Sequence, residues 1–118
     1  MDNKAMALFI ADVLDKKKAK DIVIIDISEK SGFADYFVIA QAGSLRQVAA
    51  LQDEVEDQLA KEEIFVRHIE GRGESGWVLM DYGDIIVNLF TEEQRARYQI
   101  EKVWKDCPSV DYEPAAEE

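Results

Sequence analysis

The sequence predicts an α/β fold of the α+β type, in which helices pack on a mixed five-stranded sheet. Apolar residues recur at helical spacing near the N-terminus, in the middle and near the end of the chain. Between these segments lie short runs rich in Val, Ile and aromatic residues, which are typical of strands. The predicted order is α-β-β-α-β-β-β-α. With 118 residues the chain is long enough for one ordinary domain, which we place at residues 1–105.

The chain is predicted to begin with a helix and two strands. Apolar residues fall on one face of a helix over residues 4–16, namely Met6, Phe9, Ile10, Val13 and Leu14. Residues 21–28, DIVIIDIS, form a nearly continuous apolar run, as expected of a strand that is covered on both faces. After a loop, residues 35–42, DYFVIAQA, have the aromatic and β-branched composition of a second strand.

A second amphipathic helix is predicted over residues 44–62. Ser44 and Gln47 have the spacing of a capping box, in which the Ser44 hydroxyl accepts from the Gln47 amide and the Gln47 side chain returns to the Ser44 amide. The apolar stripe of this helix consists of Val48, Leu51, Val55 and Leu59.

Three strands should follow, of which the last two form a hairpin. The run IFVRHI at residues 64–69 supplies the first of them. In WVLMDYGDIIVNLF, residues 77–90, the pair Gly83-Asp84 indicates a tight two-residue turn between two apolar runs. Because side chains alternate along strands, one hairpin face is almost wholly apolar and should be core: Val78, Met80, Tyr82, Ile85, Val87 and Leu89. The opposite face is mixed and consists of Trp77, Leu79, Asp81, Ile86, Asn88 and Phe90.

A last helix should begin at Thr91, which repeats the capping-box spacing with Gln94. Its apolar side consists of Ala96, Ile100, Val103 and Trp104, and Pro108 lies just beyond its end. Residues 106–118 contain acidic residues but no basic residue, together with both prolines of the chain. We therefore expect this segment to be an acidic tail that is disordered or only loosely docked on the domain.

The segment EGRGESGW at residues 70–77 contains the spacing G-x-G-x-x-G, which cradles a pyrophosphate in dinucleotide-binding proteins. That function requires a strand before the glycines and a helix after them, because the helix N-terminus provides part of the anion site. Here a strand is predicted on both sides. A flexible turn between strands is therefore favoured, and no nucleotide cofactor is expected.

Charge and composition exclude several classes of function. The net charge is −11, and nucleic-acid binding depends on Lys and Arg that neutralise phosphates, so no direct nucleic-acid specificity is expected and a basic protein is the better-matched partner. The basic cluster DKKKAK at residues 15–20 suits a helix C-terminus. One cysteine and one histidine argue against an internal disulfide and a metal site. The absence of a long apolar run and of a signal peptide predicts a reducing, cytoplasmic location without membrane association.

The mixed hairpin face leaves two interpretations open. In the first, helices cover this face too, and Asp81 and Asn88 form hydrogen bonds inside or lie at an edge. In the second, Trp77 and Phe90 belong to an exposed aromatic patch ringed by polar groups, a composition typical of protein-binding surfaces. Composition alone does not decide between them.

Three separated blocks resemble the ribosomal silencing factor family, also called Iojap-like. They are DYFVI at residues 35–39, the block from residue 70 to residue 84 with EG, WVL and DYGD, and RY at residues 97–98 ahead of Glu101 and Trp104. The resemblance spans about residues 5–105. It implies a nucleotidyltransferase-like sheet and a translation repressor that binds the fourteenth protein of the large ribosomal subunit. Binding there would block joining of the small subunit and lower translation when nutrients are scarce.

The resemblance also implies contact residues and an oligomeric state. Carried over by position, the contacts fall on the hairpin, so the predicted partner-binding residues are Trp77, Leu79, Asp81, Ile86, Asn88 and Phe90. A homodimer is implied for the unbound state. Two positions depart from the family pattern: Asn88 stands where the family often has His, and the small-residue turn before the second helix is shifted to Ala42-Gly43-Ser44.

The implied fold keeps a metal-dependent nucleotidyltransferase open as the alternative function. Such enzymes place Gly-Ser at a helix start and bind two Mg²⁺ ions through carboxylates of a following strand. Gly43-Ser44 does precede a helix, but the strand IFVRHI after that helix lacks the carboxylate pair, and Asp26 and Asp35 belong to earlier strands. We therefore predict that Ser44 is an N-cap and that the chain is a non-catalytic binding protein.

Overall fold

In the computed structural model, which describes residues 1–71 and 75–112, a mixed sheet of six strands lies between two layers of helix. The elements are α1 (Asn3–Lys16), β1 (Lys20–Asp26), β2 (Tyr36–Ala42), α2 (Leu45–Lys61), β3 (His68–Glu70), β4 (Trp77–Asp81), β5 (Ile85–Thr91), α3 (Glu92–Tyr98), a 3₁₀ helix (Ile100–Trp104) and β6 (Ser109–Val110). The strand order is β3-β4-β5-β2-β1-β6, in which β2 and β5 are parallel and the other neighbours antiparallel. The predicted fold class is confirmed, with six strands in the described residues instead of five.

Both long helices begin where the sequence provides a side-chain acceptor. The Asp2 carboxylate accepts from the Ala5 amide at 2.7 Å, and the Ser44 hydroxyl accepts from the Gln47 amide at 3.1 Å. The Ser44 cap confirms the prediction. The Gln47 side chain returns one residue earlier than predicted, because its Oε1 accepts from the Gly43 amide at 2.6 Å. None of the helices in the described residues is long and apolar enough to cross a membrane.

The helices α1 and α2 pack on one face of the sheet and bury the apolar side of the hairpin. All six hairpin residues predicted to form the core lie in this cluster, with exposed fractions between 0% and 6%: Val78, Met80, Tyr82, Ile85, Val87 and Leu89. The turn sets this register, since it pairs Met80 with Val87 and Val78 with Leu89 as predicted. Gly83 occupies the turn at a φ of 93°, a left-handed conformation that glycine adopts without steric cost.

On the opposite face of the sheet, α3 and the 3₁₀ helix cover a second apolar cluster. Its buried members are Ile25, Ile27, Ala34, Phe37, Ile39, Ile86 and Phe90. The prediction of one continuous last helix is wrong, because Gln99 adopts a left-handed φ of 47° that ends α3 at Tyr98. The chain continues as the 3₁₀ helix, in which Val103 is 71% exposed and does not join the apolar side.

Arg95 holds the end of α3, the 3₁₀ helix and β1 together. Its guanidinium donates to one oxygen of the Glu101 carboxylate at 2.7 and 3.1 Å. It also donates to the backbone carbonyl of Asp21 at 2.8 Å. The Arg95 side chain is only 11% exposed, so these charge-assisted hydrogen bonds are largely shielded from water.

The two edges of the sheet differ from the prediction. The strand β3 covers only three residues, so residues 64–67 of the predicted strand are irregular. The strand β6 lies in the segment for which a disordered or loosely docked tail is predicted, and it pairs Ser109 and Val110 with β1. Tyr112 then packs against the core cluster that contains α1. Of the two alternatives for the tail, docking therefore describes this part of it, and residues 113–118 lie outside the described residues.

The glycine-containing segment connects β3 to β4, as the sequence predicts. Gly71 has a φ of 82°, and a Cβ at this position would come within 1.9 Å of the Trp77 carbonyl oxygen. A close approach of two backbones therefore requires glycine here. The Thr91 amide donates to the Gly76 carbonyl at 2.9 Å and holds the far end of the segment against β5. Gly73 lies outside the described residues.

We expect Tyr82→Phe to raise the free energy of unfolding by about 1 kcal/mol, because the buried Tyr82 hydroxyl has no hydrogen-bond partner among the described residues. Burial, with a smaller contribution from Glu56, also raises the pKa of Tyr82. Above a pH of about 10 the Tyr82 hydroxyl ionises in the unfolded chain while it stays protonated in the folded protein, so the parent should lose stability there. Urea titrations at neutral and alkaline pH measure both effects. The prediction fails if the variant is less stable at neutral pH, or if both proteins lose equal stability at alkaline pH.

Candidate protein-binding site

The structure divides the mixed hairpin face into a buried half and a partly exposed half. The three residues on β5 are buried, with exposed fractions of 6%, 0% and 0% for Ile86, Asn88 and Phe90. The three residues on β4 are partly exposed: Trp77, Leu79 and Asp81. The interpretation of one exposed aromatic patch is therefore wrong for the β5 residues, because β5 is a central strand that α3 covers.

Trp77 lies at the start of β4 in the partly exposed half, and three neighbours hold its ring. The indole N–H donates to Oδ1 of Asn88 at 3.0 Å. The ring stacks on Phe90, with 5.0 Å between centroids and 24° between planes. The centroid of the Tyr98 ring lies 4.7 Å from that of the Trp77 ring, with 45° between the two planes. Because both its polar and its apolar atoms are engaged, Trp77 presents a rigid aromatic surface to solvent.

Asn88 is joined to the partly exposed half of the hairpin face by its hydrogen bond with Trp77. The indole N–H can only donate, so its hydrogen bond fixes which end of the Asn88 side chain is the oxygen. The amide nitrogen is buried and has no partner within the part of the chain that the structure describes. Asn88 is therefore buried beneath the surface, and its hydrogen bond fixes the orientation of the indole.

Asp81 lies at the end of β4, where the hairpin turn uses part of its carboxylate. The Oδ1 atom accepts from the Gly83 amide at 2.7 Å, a hydrogen bond that stabilises the turn. The backbone of Asp81 pairs with His68 on the edge strand β3. Asp81 therefore adds negative charge to the surface and supports the hairpin at the same time.

A small cavity opens beside Trp77. It has a volume of about 210 Å³ and is lined by Glu70, Gly71, Ser75, Trp77, Leu79 and Tyr98. The Ser75 hydroxyl lies within hydrogen-bonding distance of two carbonyl oxygens, at 2.6 Å from that of Gly71 and 2.8 Å from that of Trp77. The cavity is smaller than the roughly 300–1,000 Å³ of most small-molecule sites. It is better suited to a single side chain than to a cofactor.

Two residues of this site, Glu70 and Tyr98, are absent from the contact set predicted from the sequence. Tyr98 is 49% exposed and forms one wall of the cavity. Both residues lie in blocks that carry the family resemblance, EG at residues 70–71 and RY at residues 97–98. The resemblance is therefore the sequence feature that could have identified them. Pairing of β3 with β4 brings Glu70 to the cavity, and the packing of α3 on β5 brings Tyr98 to it.

The residues considered for a metal-dependent enzyme lie on other elements and have structural partners. Ser44 caps α2. Oδ1 of Asp26 accepts from the hydroxyl and the amide of Ser28 at 2.6 and 3.0 Å, which lowers the pKa of Asp26. Asp35 accepts from the Asn3 side chain at 2.9 Å. Within residues 1–71 and 75–112, no group of three or more His, Cys, Asp and Glu residues is placed to hold a metal ion.

The chain is similar in sequence and in structure to proteins of one family. A family model described as "Ribosomal silencing factor during starvation" matches residues 1–118. The chain is 39% identical over 111 residues to ribosomal silencing factor RsfS of Bacillus subtilis, with 94% of each protein covered. A crystal structure from Chromobacterium violaceum superposes with a TM-score of 0.86 at 28% identity, covering 98% of this chain and 96% of that one. One from Bacillus halodurans gives a TM-score of 0.81 at 31% identity, covering 92% and 99%.

Proposed function

Because the chain belongs to the ribosomal silencing factor family, we propose that it represses translation by binding the large ribosomal subunit and blocking its joining with the small subunit. The partner on the large subunit is its fourteenth protein, as the sequence resemblance implies. The repression acts when nutrients are limited, which agrees with the starvation named in the description of the family. The chain acts in the cytoplasm, where ribosomes are found.

Repression of this kind is steric and needs no bond making or breaking. It requires one surface that binds the large subunit and a body that collides with the incoming small subunit. The described part of the chain measures 34 × 33 × 31 Å. A body of this thickness does not fit between the contacting faces of two joined ribosomal subunits. The domain itself is therefore the obstacle, and we propose that the chain is not an enzyme.

The observation that carries the proposal is the rigid, partly exposed indole of Trp77. Residues that dominate binding energy in protein interfaces are enriched in Trp and Tyr. Because a standard interface buries about 800 Å² on each partner, the contact must extend beyond Trp77, Leu79 and Asp81 to the neighbouring β3 and to the C-terminal end of α3. In this arrangement the buried residues Ile86, Asn88 and Phe90 support the binding surface from within.

Charge supports a protein partner of the opposite sign. The net charge of −11 favours association with a basic ribosomal protein and disfavours the phosphate backbone of ribosomal RNA. Long-range attraction between opposite charges raises the rate of association more than it raises the affinity. We therefore expect the association rate to fall as salt is added, while the contact around Trp77 sets the dissociation rate.

Co-sedimentation with purified large ribosomal subunits tests the proposed function. We expect the chain to pellet with large subunits in equimolar amounts, and not with small subunits, which serve as the control. In sucrose gradients, added chain should lower the amount of joined ribosomes in proportion to the bound fraction. The proposal is contradicted if the chain stays in the supernatant, or if subunits join normally while the chain is bound.

We also propose that the free chain forms a homodimer that covers the surface around Trp77. An exposed aromatic surface favours self-association, and a two-fold dimer buries the same patch on both copies. The dimer and the ribosome would then compete for one surface. Light scattering at micromolar concentrations should give twice the mass of the chain, and a monomer at every concentration would contradict the dimer.

A further inference from the structure

We propose that the cavity beside Trp77 receives the side chain of one arginine of the partner protein. This inference rests on the proposed function and names the chemical group that the site recognises. The cavity has aromatic walls and one carboxylate at its edge. The rings of Trp77 and Tyr98 pack against each other with 4.7 Å between centroids and both line the cavity, and Glu70 supplies the carboxylate.

Both features of the cavity attract a cation. The faces of Trp and Tyr rings carry negative electrostatic potential, and a cation near such a face is stabilised. Among the described residues that line the cavity, Glu70 is the one with an ionised side chain. The ring of His68 contacts the Glu70 carboxylate, with 3.2 Å between Nε2 and Oε2, and so restrains its position. An apolar side chain would shield Glu70 from water without providing a partner for its charge.

The aromatic ring and the carboxylate of the lining together favour arginine over lysine. A planar guanidinium can lie flat against an aromatic ring and still present paired N–H donors to a carboxylate, which the ammonium of lysine cannot do. The volume of about 210 Å³ is too small for most organic ligands and suits the end of one long side chain.

The chain contains one example of the same contact. The Arg97 guanidinium carbon lies 5.7 Å from the centroid of the Tyr98 ring, so this ring already accepts a guanidinium. Arg97 does not line the cavity, so the cavity is open to a second guanidinium. The positive charge of Arg97 opposes an incoming arginine, and among the described residues that line the cavity Glu70 carries the charge that offsets it.

Affinities of three variants for purified large ribosomal subunits test the inference. Glu70→Gln keeps the shape of the side chain and removes its charge, so binding should weaken about tenfold at low salt and depend less on salt. Tyr98→Leu keeps an apolar wall but removes the ring face, so binding should weaken roughly fivefold. Tyr98→Phe restores the ring face and should recover most of the affinity that Tyr98→Leu loses.

Glu93→Gln is the matched control, because Glu93 is an exposed carboxylate in the first turn of α3 and lies outside the cavity. Thermal melts of all variants report any loss of fold. If the parent binds and both Glu70→Gln and Tyr98→Leu bind equally well, the arginine pocket is overturned while the proposed function stands. If Glu93→Gln weakens binding as much as Glu70→Gln, the effect is one of general charge and the pocket is likewise overturned. A parent that fails to bind overturns both.

Discussion

Replacing Met80 with aspartate is expected to unfold the domain. Met80 of β4 is 0% exposed, faces the cluster beneath α1 and α2, and pairs with Val87 and Ile69 on the neighbouring strands. A carboxylate in this position would be buried among apolar side chains, which costs several kcal/mol even if it becomes protonated. That cost is comparable with the whole stability of an ordinary domain, about 5–15 kcal/mol.

Urea unfolding followed by circular dichroism measures this effect, and Leu79→Asp is the matched control. Leu79 is the adjacent residue on the same strand, but its side chain lies on the opposite face and is only partly buried. The same substitution there should lower stability and leave a folded, cooperative protein. A cooperative unfolding curve for Met80→Asp, with the midpoint of the parent, would mean that the two faces of the hairpin have been assigned in reverse.

The hairpin could be predicted because its geometry is local. Two residues form the turn, and once Gly83 and Asp84 were placed there, the alternation of side chains assigned every residue of β4 and β5 to a face. The structure confirms this register, with Trp77 opposite Phe90 and Met80 opposite Val87. The caps of α2 and α3 are local in the same sense, since the acceptor and the amide are three residues apart.

The end of the chain could not be predicted in the same way, because distant residues determine it. Helical periodicity continues through Gln99, yet the chain turns there and Arg95 hydrogen-bonds to Glu101 and to the carbonyl of Asp21, which is 74 residues away in sequence. The strand β6 is only two residues long and exists because β1 offers it a free edge. Nothing in the composition of residues 106–118 indicates that pairing.

The candidate binding site contains features of both kinds, some set by local sequence and some set by distant residues. Sequence alternation correctly placed Trp77 and Phe90 on one face, but alternation carries no information about what covers that face. The cover comes from α3 and the 3₁₀ helix, which lie over Phe90, and α3 brings Tyr98 against Trp77. The six residues predicted to bind a partner therefore separate into three partly exposed residues on β4 and three buried residues on β5. Under the proposed function, the β4 residues form the contact and the β5 residues support it.

The largest effect on binding is expected from Trp77→Ala. We expect the variant to bind large ribosomal subunits with an affinity lower by about 2 kcal/mol or more, which corresponds to roughly thirtyfold. The substitution removes the aromatic anchor of the surface and one wall of the cavity. It also leaves Oδ1 of Asn88 without its donor and removes the stacking on Phe90, so some stability should be lost as well.

Trp104→Ala separates the loss of binding from the loss of stability. Trp104 lies on the same side of the sheet and packs on Phe37 with 5.4 Å between centroids, so the same chemical change disturbs the same apolar cluster at a place away from the cavity. Affinities should be compared at a temperature where urea titrations show both variants to be folded. Trp104→Ala should then bind like the parent. If Trp77→Ala also binds like the parent, or if both variants lose affinity in proportion to their loss of stability, Trp77 does not anchor the contact, because its effect would arise from the fold and not from the binding surface.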